Sequence, residues 1–409
     1  MSQPNQKPNY MFALVVVFIV CFLIGFITTM NNSMIAFCSE AFNLNAQQGQ
    51  YVNSAFYGAY LLSIPFALLM SKIGYKGTLI LGLAVAGIGF IINSMGISNA
   101  IGSGGNVYAV FLGCMCLVAM GVVMLQNVAN PYVMVLGSPE KGAFRMTLSQ
   151  ALNSVATTVA PMFVTYAIIR GQAAKPEAVP GPFLGLGIFT LLICLILVFL
   201  KLPKIDEGKQ SEEAGEKLVE KSSVFKYPHV WLGALGIFMY MGVEIGVPSM
   251  LPYKIQSIGY DGAEATQLAT SLLSLYWGGM MVGRFVGAGI LAKFQPRALL
   301  SWCIALGALC IALSFVLPGK TGVYAMLAAG LFHSVMWPLV FNLGLQKLGR
   351  HTKAASGVIN TGVIGAALLM PVMGAVVGTA GVGIAIAMMF IYYAYLIWFC
   401  WKGSKIGIE

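Results

Sequence analysis

Charge is what this sequence has least of. Only 9% of its 409 residues are Asp, Glu, Lys or Arg, where a soluble protein carries about a quarter. A soluble chain of this length would form two or three domains, each needing a polar shell, and the charges present cannot supply one. Metal chemistry lacks its ligands too. His229, His333 and His351 are scattered, and Cys21, Cys38, Cys114, Cys116, Cys194, Cys303, Cys310 and Cys400 all fall in apolar runs without ligand spacing. Cys114 and Cys116, two apart on a helix, point to different faces. The cysteines read as small apolar packers. Long loops at the outer surface, where an integral-membrane enzyme would hold acids, His or a metal, are missing as well.

Apolar sequence is what the chain does have. Hydrophobic residues make up 58%, in runs long enough to cross about 30 Å of hydrocarbon as helices. Twelve spans are expected, at 11–37, 51–70, 78–97, 107–136, 146–168, 182–201, 230–252, 266–291, 298–317, 322–345, 355–377 and 382–401. The first is too long for a signal-peptide core and has no small-residue cleavage site, so it counts as a true span. The net charge of +10 is distributed unevenly. Arg170, Lys175, Lys254 and Lys320 lie on one side and Arg284 lies within a span; every other Lys and Arg falls on the opposite side. The positive-inside rule then makes that side, with both termini, cytoplasmic. The basic balance therefore needs no nucleic acid as partner.

One long polar stretch, 202–228, rich in Lys, Glu and Ser, separates six spans from six and reads as a charged linker. The expected organisation is a bundle over 1–201, a cytoplasmic linker over 202–228 and a second bundle over 229–409. An internal repeat supports it. Pro131 and Pro338, Gly137 and Gly344, and Asn153 and Asn360 are each offset by 207 residues. Ser54-Ala55-Phe56-Tyr57-Gly58 echoes Ser274-Leu275-Tyr276-Trp277-Gly278 at an offset of 220. Two six-helix bundles related by a parallel repeat, with a solute site between them near the midplane, form the arrangement of the major-facilitator fold.

Of the thirteen acids, Glu244 is the one deep in an apolar run, at Phe238-Met239-Tyr240-Met241-Gly242-Val243-Glu244-Ile245-Gly246. A charge at that depth costs about 2.5–3.5 kcal/mol on insertion scales. It reads either as a cation-coupling carboxylate or solute ligand, or as a structural group paired with Arg284. Elsewhere amides carry the interior polarity: Asn31, Asn32, Asn53, Gln126, Asn127, Asn130, Gln150 and Asn153 in the first half, Asn342, Gln346 and Asn360 in the second. Gln126 and Asn130, and Gln150 and Asn153, are spaced to share a helix face. An amide offers a donor and an acceptor together, which suits vicinal hydroxyls, although amides also tie helices to each other. Trp277 and Trp337 sit mid-span, where an aromatic plane can meet the apolar face of a sugar ring or pack on neighbours. Arg284, about 13 Å from the cytoplasmic end, reads as a gating or helix-tying group.

Ala129-Asn130-Pro131-Tyr132-Val133-Met134-Val135-Leu136-Gly137, Ser54-Ala55-Phe56-Tyr57, Gly283-Arg284-Phe285 and Pro371-Val372-Met373-Gly374 together resemble the fucose–galactose–glucose symporter family, over nearly the whole chain. The resemblance implies that Gln150 and Asn153 take sugar-contacting positions and that Trp337 stands where a cavity-lining Tyr is found. It also shows departures: Asn32 and Gln126 replace an Asp and a Glu associated with proton coupling, and an amide does not titrate. Met241-Gly242-Val243-Glu244 instead resembles a Tyr-Val-Gly-x-Glu stretch of the glucose/galactose branch, which includes sodium-dependent members. With the interior amides and aromatics read above, the expected site is Asn32, Gln126, Asn130, Gln150, Asn153, Trp277, Trp337 and Asn360 for a small neutral sugar, with Glu244 for coupling.

The expected function is cation-coupled import of a neutral hexose by a monomer in the cytoplasmic membrane, in contact with lipid. No cofactor is expected beyond co-transported sodium or proton. An uncoupled facilitator on the same fold is the alternative. A lipid-linked glycosyltransferase would need the surface chemistry missing above, and a channel would need a pore ring or filter.

Overall fold

The computed structural model describes residues 10–135, 142–200, 223–291, 295–348 and 352–407, and every regular element among them is a helix. The first half runs α1 (Tyr10–Ala41), α2 (Ala46–Gly49), α3 (Tyr51–Tyr57), a 3-10 turn (Gly58–Leu62), α4 (Ser63–Ser103), α5 (Val107–Val135), α6 (Gly142–Phe163) and α7 (Pro180–Phe199). The second runs α8 (Pro228–Glu244), α9 (Gly246–Gln256), α10 (Gly262–Leu291), α11 (Pro296–Val316), α12 (Gly319–His333), α13 (Met336–Gly344), α14 (Thr352–Asn360), a 3-10 turn (Thr361–Ile364), α15 (Gly365–Ala380), α16 (Val382–Ala387) and α17 (Met389–Trp401). Gly74, at φ 72° and ψ 175°, breaks α4. Only glycine takes that conformation without a Cβ clash, and it lets the second span turn directly into the third. Of the linker expected over 202–228, residues 201–222 lie outside the described set. Pro228, at the first turn of α8, opens the second half, where a missing N–H costs nothing.

Among the described residues, ten helical segments are long and apolar enough to cross a membrane. The two other expected spans are helical but less regular in sequence or backbone. Residues 51–70 are interrupted by the 3-10 turn, and α10 carries Glu264, Gln267, Ser274 and Arg284. Three spans expected to be continuous, 230–252, 322–345 and 382–401, are each two helices end to end, and 355–377 is interrupted by the 3-10 turn Thr361–Ile364. Proline accounts for the first two breaks, because it cannot donate to the carbonyl four residues back and crowds it: Pro248 follows Glu244 by four, and Pro338 follows Ser334 by four.

Within the first half α1 packs on α6, and α4 on α5 and α7; within the second α11 packs on α12, α10 on α12, and α8 on α13 and α17. The surface is inverted relative to a soluble protein. Leu192, Leu195, Ile196 and Phe199 on α7, and Trp302, Leu309 and Val316 on α11, are exposed, while Asn31, Asn32, Asn53, Asn93 and His333 are buried. Helices satisfy their own backbone groups, so this apolar exterior can face hydrocarbon.

The halves touch along α6 and α10, and along α2, α3 and α15. The end away from the linker is shut by direct hydrogen bonds. Gln50 Nε2 donates to Ser249 O (3.1 Å), Asn53 Nδ2 to Ser249 Oγ (2.8 Å), Tyr253 OH to Ala46 O (3.1 Å) and Ser54 Oγ to Ala367 O (2.6 Å). Towards the linker end the start of α4 meets α14, where a Cβ on Gly357 would lie 3.9 Å from Ile64, while α5 and α13 form no comparable contact among the described residues.

Candidate solute and cation site

In the first half, amides are held by tyrosines. Asn32 on α1 is buried, and its Nδ2 donates to the Tyr57 hydroxyl at 3.2 Å. Gln126 on α5 accepts at Oε1 from the Tyr60 hydroxyl at 2.6 Å. Tyr57 and Tyr60, one turn apart, stack at a centroid distance of 6.1 Å, so the two amides belong to one polar cluster on α1, the second span and α5. On α6, Asn153 Nδ2 donates to Cys21 O at 3.0 Å. The approach is close because Gly25 faces it: a Cβ there would fall 2.6 Å from the Asn153 carbonyl oxygen. Gln150, one turn before, is half-buried, and its carbonyl accepts from Ser154 Oγ at 2.9 Å. The side chain of Asn130 lies outside the described residues.

Glu244 ends α8, next to the break. Its carboxyl lies within the electrostatic reach of Arg284 and the Tyr240 hydroxyl, and of Tyr57 and Tyr60 from the other half. Arg284 gives its hydrogen bonds elsewhere, from Nη1 to Ser154 Oγ at 2.8 Å and to Asn153 Oδ1 at 3.4 Å. It therefore ties α10 to α6 across the interface of the halves and leaves the carboxyl without a direct ion pair among the described residues.

Trp277 is buried against Tyr276, with centroids 5.1 Å apart, and its indole Nε1 has no partner among the described residues. Trp337, at the start of α13, is half-buried and stacks on Phe341 at 4.8 Å. Asn360, the repeat mate of Asn153, ends α14 and makes no capping bond to the turn that follows. The structure thus joins Asn32 to Gln126 through the stacked tyrosines and Asn153 to Arg284 by a direct bond, with Glu244 within electrostatic reach of both groups. Trp277, Trp337 and Asn360 stand on α10, α13 and α14, outside those bonds.

Asn31, read from the sequence as an interior amide, is fully buried with both amide atoms unpartnered among the described residues. Sequence reasoning missed other groups: Ser274 Oγ is also buried without a partner among the described residues. His333, set aside as scattered, is buried among tyrosines. The available signal was the prolines, which mark where backbone carbonyls must find side-chain donors. No group of three or more His, Cys, Asp or Glu is placed to hold a metal among the described residues. What the interior offers is paired donors and acceptors, aromatic faces, one carboxyl and one guanidinium.

A family model described as Major Facilitator Superfamily matches residues 17–371. The chain is 34% identical over 410 residues to a protein named glucose/galactose transporter from Brucella abortus biovar 1 (strain 9-941), covering 99% of this chain and 97% of that one. It is 27% identical over 404 residues to a protein named L-fucose-proton symporter from Escherichia coli (strain K12), covering 92% and 89%. Its fold is similar to the crystal structure of the Major Facilitator Superfamily transporter FucP in the outward conformation, with a TM-score of 0.70, 24% identity, and coverage of 96% of this chain and 98% of that one.

Proposed function

The chain belongs to the Major Facilitator Superfamily, and from that premise we propose that it imports a neutral monosaccharide in symport with a monovalent cation. The placement of Glu244 carries the reading. It is an interior carboxyl without a direct ion pair among the described residues, within electrostatic reach of tyrosines from both halves, so its charge is felt on each side of the interface that must open and close. A symporter needs such a group, because cation occupancy has to change the balance between the two states. The sugar part rests on the interior amides and on relatives named for glucose, galactose and fucose.

In this reading Asn32, Gln126, Asn130, Gln150, Asn153, Trp277, Trp337 and Asn360 form the solute site between a bundle over 1–201 and another over 229–409. Both halves of the site come from one chain, so a monomer suffices. Arg284 holds α10 on α6. The positive residues place the linker end in the cytoplasm, so the end shut by Gln50, Asn53, Ser54 and Tyr253 faces outward.

One cation moving down 100 mV contributes about 2.3 kcal/mol, which supports roughly 50-fold accumulation of a neutral sugar. The test is uptake into proteoliposomes across a panel of labelled hexoses, with sodium and proton gradients imposed separately. Accumulation under one gradient, lost in Glu244→Gln while sugar exchange continues, is the expected result. Wild-type uptake that only equilibrates under both gradients makes the protein an uncoupled facilitator instead.

A further inference from the structure

The break in the seventh span leaves the backbone carbonyl of Glu244 without its helical donor, since residue 248 is proline. An unpaired carbonyl in a membrane interior is costly. Here the Tyr276 hydroxyl on α10 supplies the missing hydrogen bond at 2.9 Å. That single contact fixes the direction of a longer chain. A hydroxyl has one proton, so Tyr276 spends it on the carbonyl and must accept from its other neighbour, His333 Nδ1, at 2.8 Å. Nδ1 therefore carries the proton, and in the neutral ring Nε2 is the acceptor for the Tyr393 hydroxyl, 2.5 Å away on α17. The chain runs Tyr393 to His333 to Tyr276 to the Glu244 peptide. Tyr240 closes it back onto α12, donating to the His333 carbonyl at 3.0 Å.

We propose that His333 and Tyr276 are positioning residues for the coupling carboxylate. The Tyr393–His333–Tyr276 chain holds the peptide from which Glu244 projects, at the junction of α8 and α9, and so sets where the carboxylate meets its cation. This rests on the reading of Glu244 as the coupling group. Two features separate it from plain packing. The chain ends on the one peptide whose side chain is the interior carboxylate, and it links that peptide to α12 next to the second proline break. A shift between α8 and α12 would then move the carboxylate as a unit with the helix ends.

The test compares Tyr276→Phe, His333→Leu and His333→Asn in proteoliposomes, with Glu244→Gln and wild type alongside. Asparagine keeps an N–H near the Nδ1 position; leucine does not. The cation concentration for half-maximal uptake should rise about two- to tenfold in Tyr276→Phe and His333→Leu, the range for losing one neutral hydrogen bond. It should return most of the way to wild type in His333→Asn. Sugar exchange without a gradient should stay near wild type in all three. Unchanged cation dependence in Tyr276→Phe and His333→Leu, with exchange intact, overturns the proposal. So does equal loss of exchange and coupling in all three, which would make the chain a packing element. If Tyr276→Phe does not insert, the contrast between Leu and Asn at 333 decides the matter. A wild type without gradient-driven uptake, or a Glu244→Gln that accumulates normally, removes the coupling reading first and this proposal with it.

Discussion

Gln126 on α5 and His333 on α12 stand 207 residues apart, the offset that also relates Pro131 to Pro338. Each is joined to a tyrosine on the second span of its own half: Gln126 to Tyr60 at 2.6 Å, His333 to Tyr276 at 2.8 Å. The tyrosines then diverge. Tyr60 belongs to a stacked pair with Tyr57 that also reaches Asn32, so the first half surrounds its tyrosines with amides. Tyr276 reaches past the histidine to the peptide of Glu244. Neutral donor–acceptor pairs suit hydroxyls and carry no charge for a cation to neutralise, whereas a carboxylate carries one. If Glu244 is the coupling group, the amide cluster of the first half serves solute recognition and the carboxyl of the second serves coupling.

If that division holds, changes in the first half should alter sugar affinity and leave coupling intact. The largest such effect is expected at Gly25. An alanine Cβ would fall 2.6 Å from the Asn153 carbonyl oxygen and 2.7 Å from its Nδ2, so α6 must move away from α1. Overpacking of this kind costs about 1–3 kcal/mol. Gly25→Ala should lower the melting temperature and weaken sugar binding at least fivefold, measured by calorimetry, while the binding-competent fraction still couples. A variant with wild-type affinity would detach Asn153 from the solute site.

Smaller effects are expected for Asn153→Ala and Gln150→Ala. Each should weaken sugar affinity about two- to tenfold without unfolding the protein, the range for one hydrogen bond to a neutral partner. Ser154 still receives Arg284 in Asn153→Ala, so the tie between α10 and α6 persists. Unchanged calorimetric affinity in both variants would rule them out as contacts.

The smallest change is expected where the halves meet without charge. Ser54→Ala removes one neutral bond to Ala367 O and leaves those of Gln50, Asn53 and Tyr253 in place. The population open at the far end should rise about twofold, read from distances between spin labels on α2 and α15. A wholesale shift to the open state would show that this one bond dominates closure, contrary to a closure shared among several.

Much of this was legible in the amino-acid order, because membrane burial constrains it strongly. The all-helical membrane fold and the isolation of Glu244 follow from where polar groups are tolerated. Continuity of the spans was not. Apolar run length is blind to a break between Glu244 and Gly246, and Pro248 announces it only once the carbonyl four residues back is considered. His333 was missed for a related reason. An isolated histidine has no spacing signature, and its partners Tyr276 and Tyr393 are 57 and 60 residues away in the chain. Arg284 was read as a gating or helix-tying group, with Glu244 as one candidate partner; that it reaches Ser154 and Asn153 depends on packing between halves that no local pattern encodes.

The division between recognition and coupling is tested most directly by measuring two quantities on two variants. Calorimetric sugar affinity and the steady-state accumulation ratio should be determined for Asn153→Ala and Glu244→Gln against wild type. Asn153→Ala is predicted to lose affinity about two- to tenfold while still reaching the wild-type ratio at saturating sugar. Glu244→Gln is predicted to bind sugar and exchange it, with the ratio falling from roughly 50 towards one. A folded Glu244→Gln that accumulates sugar to the wild-type ratio would contradict the account.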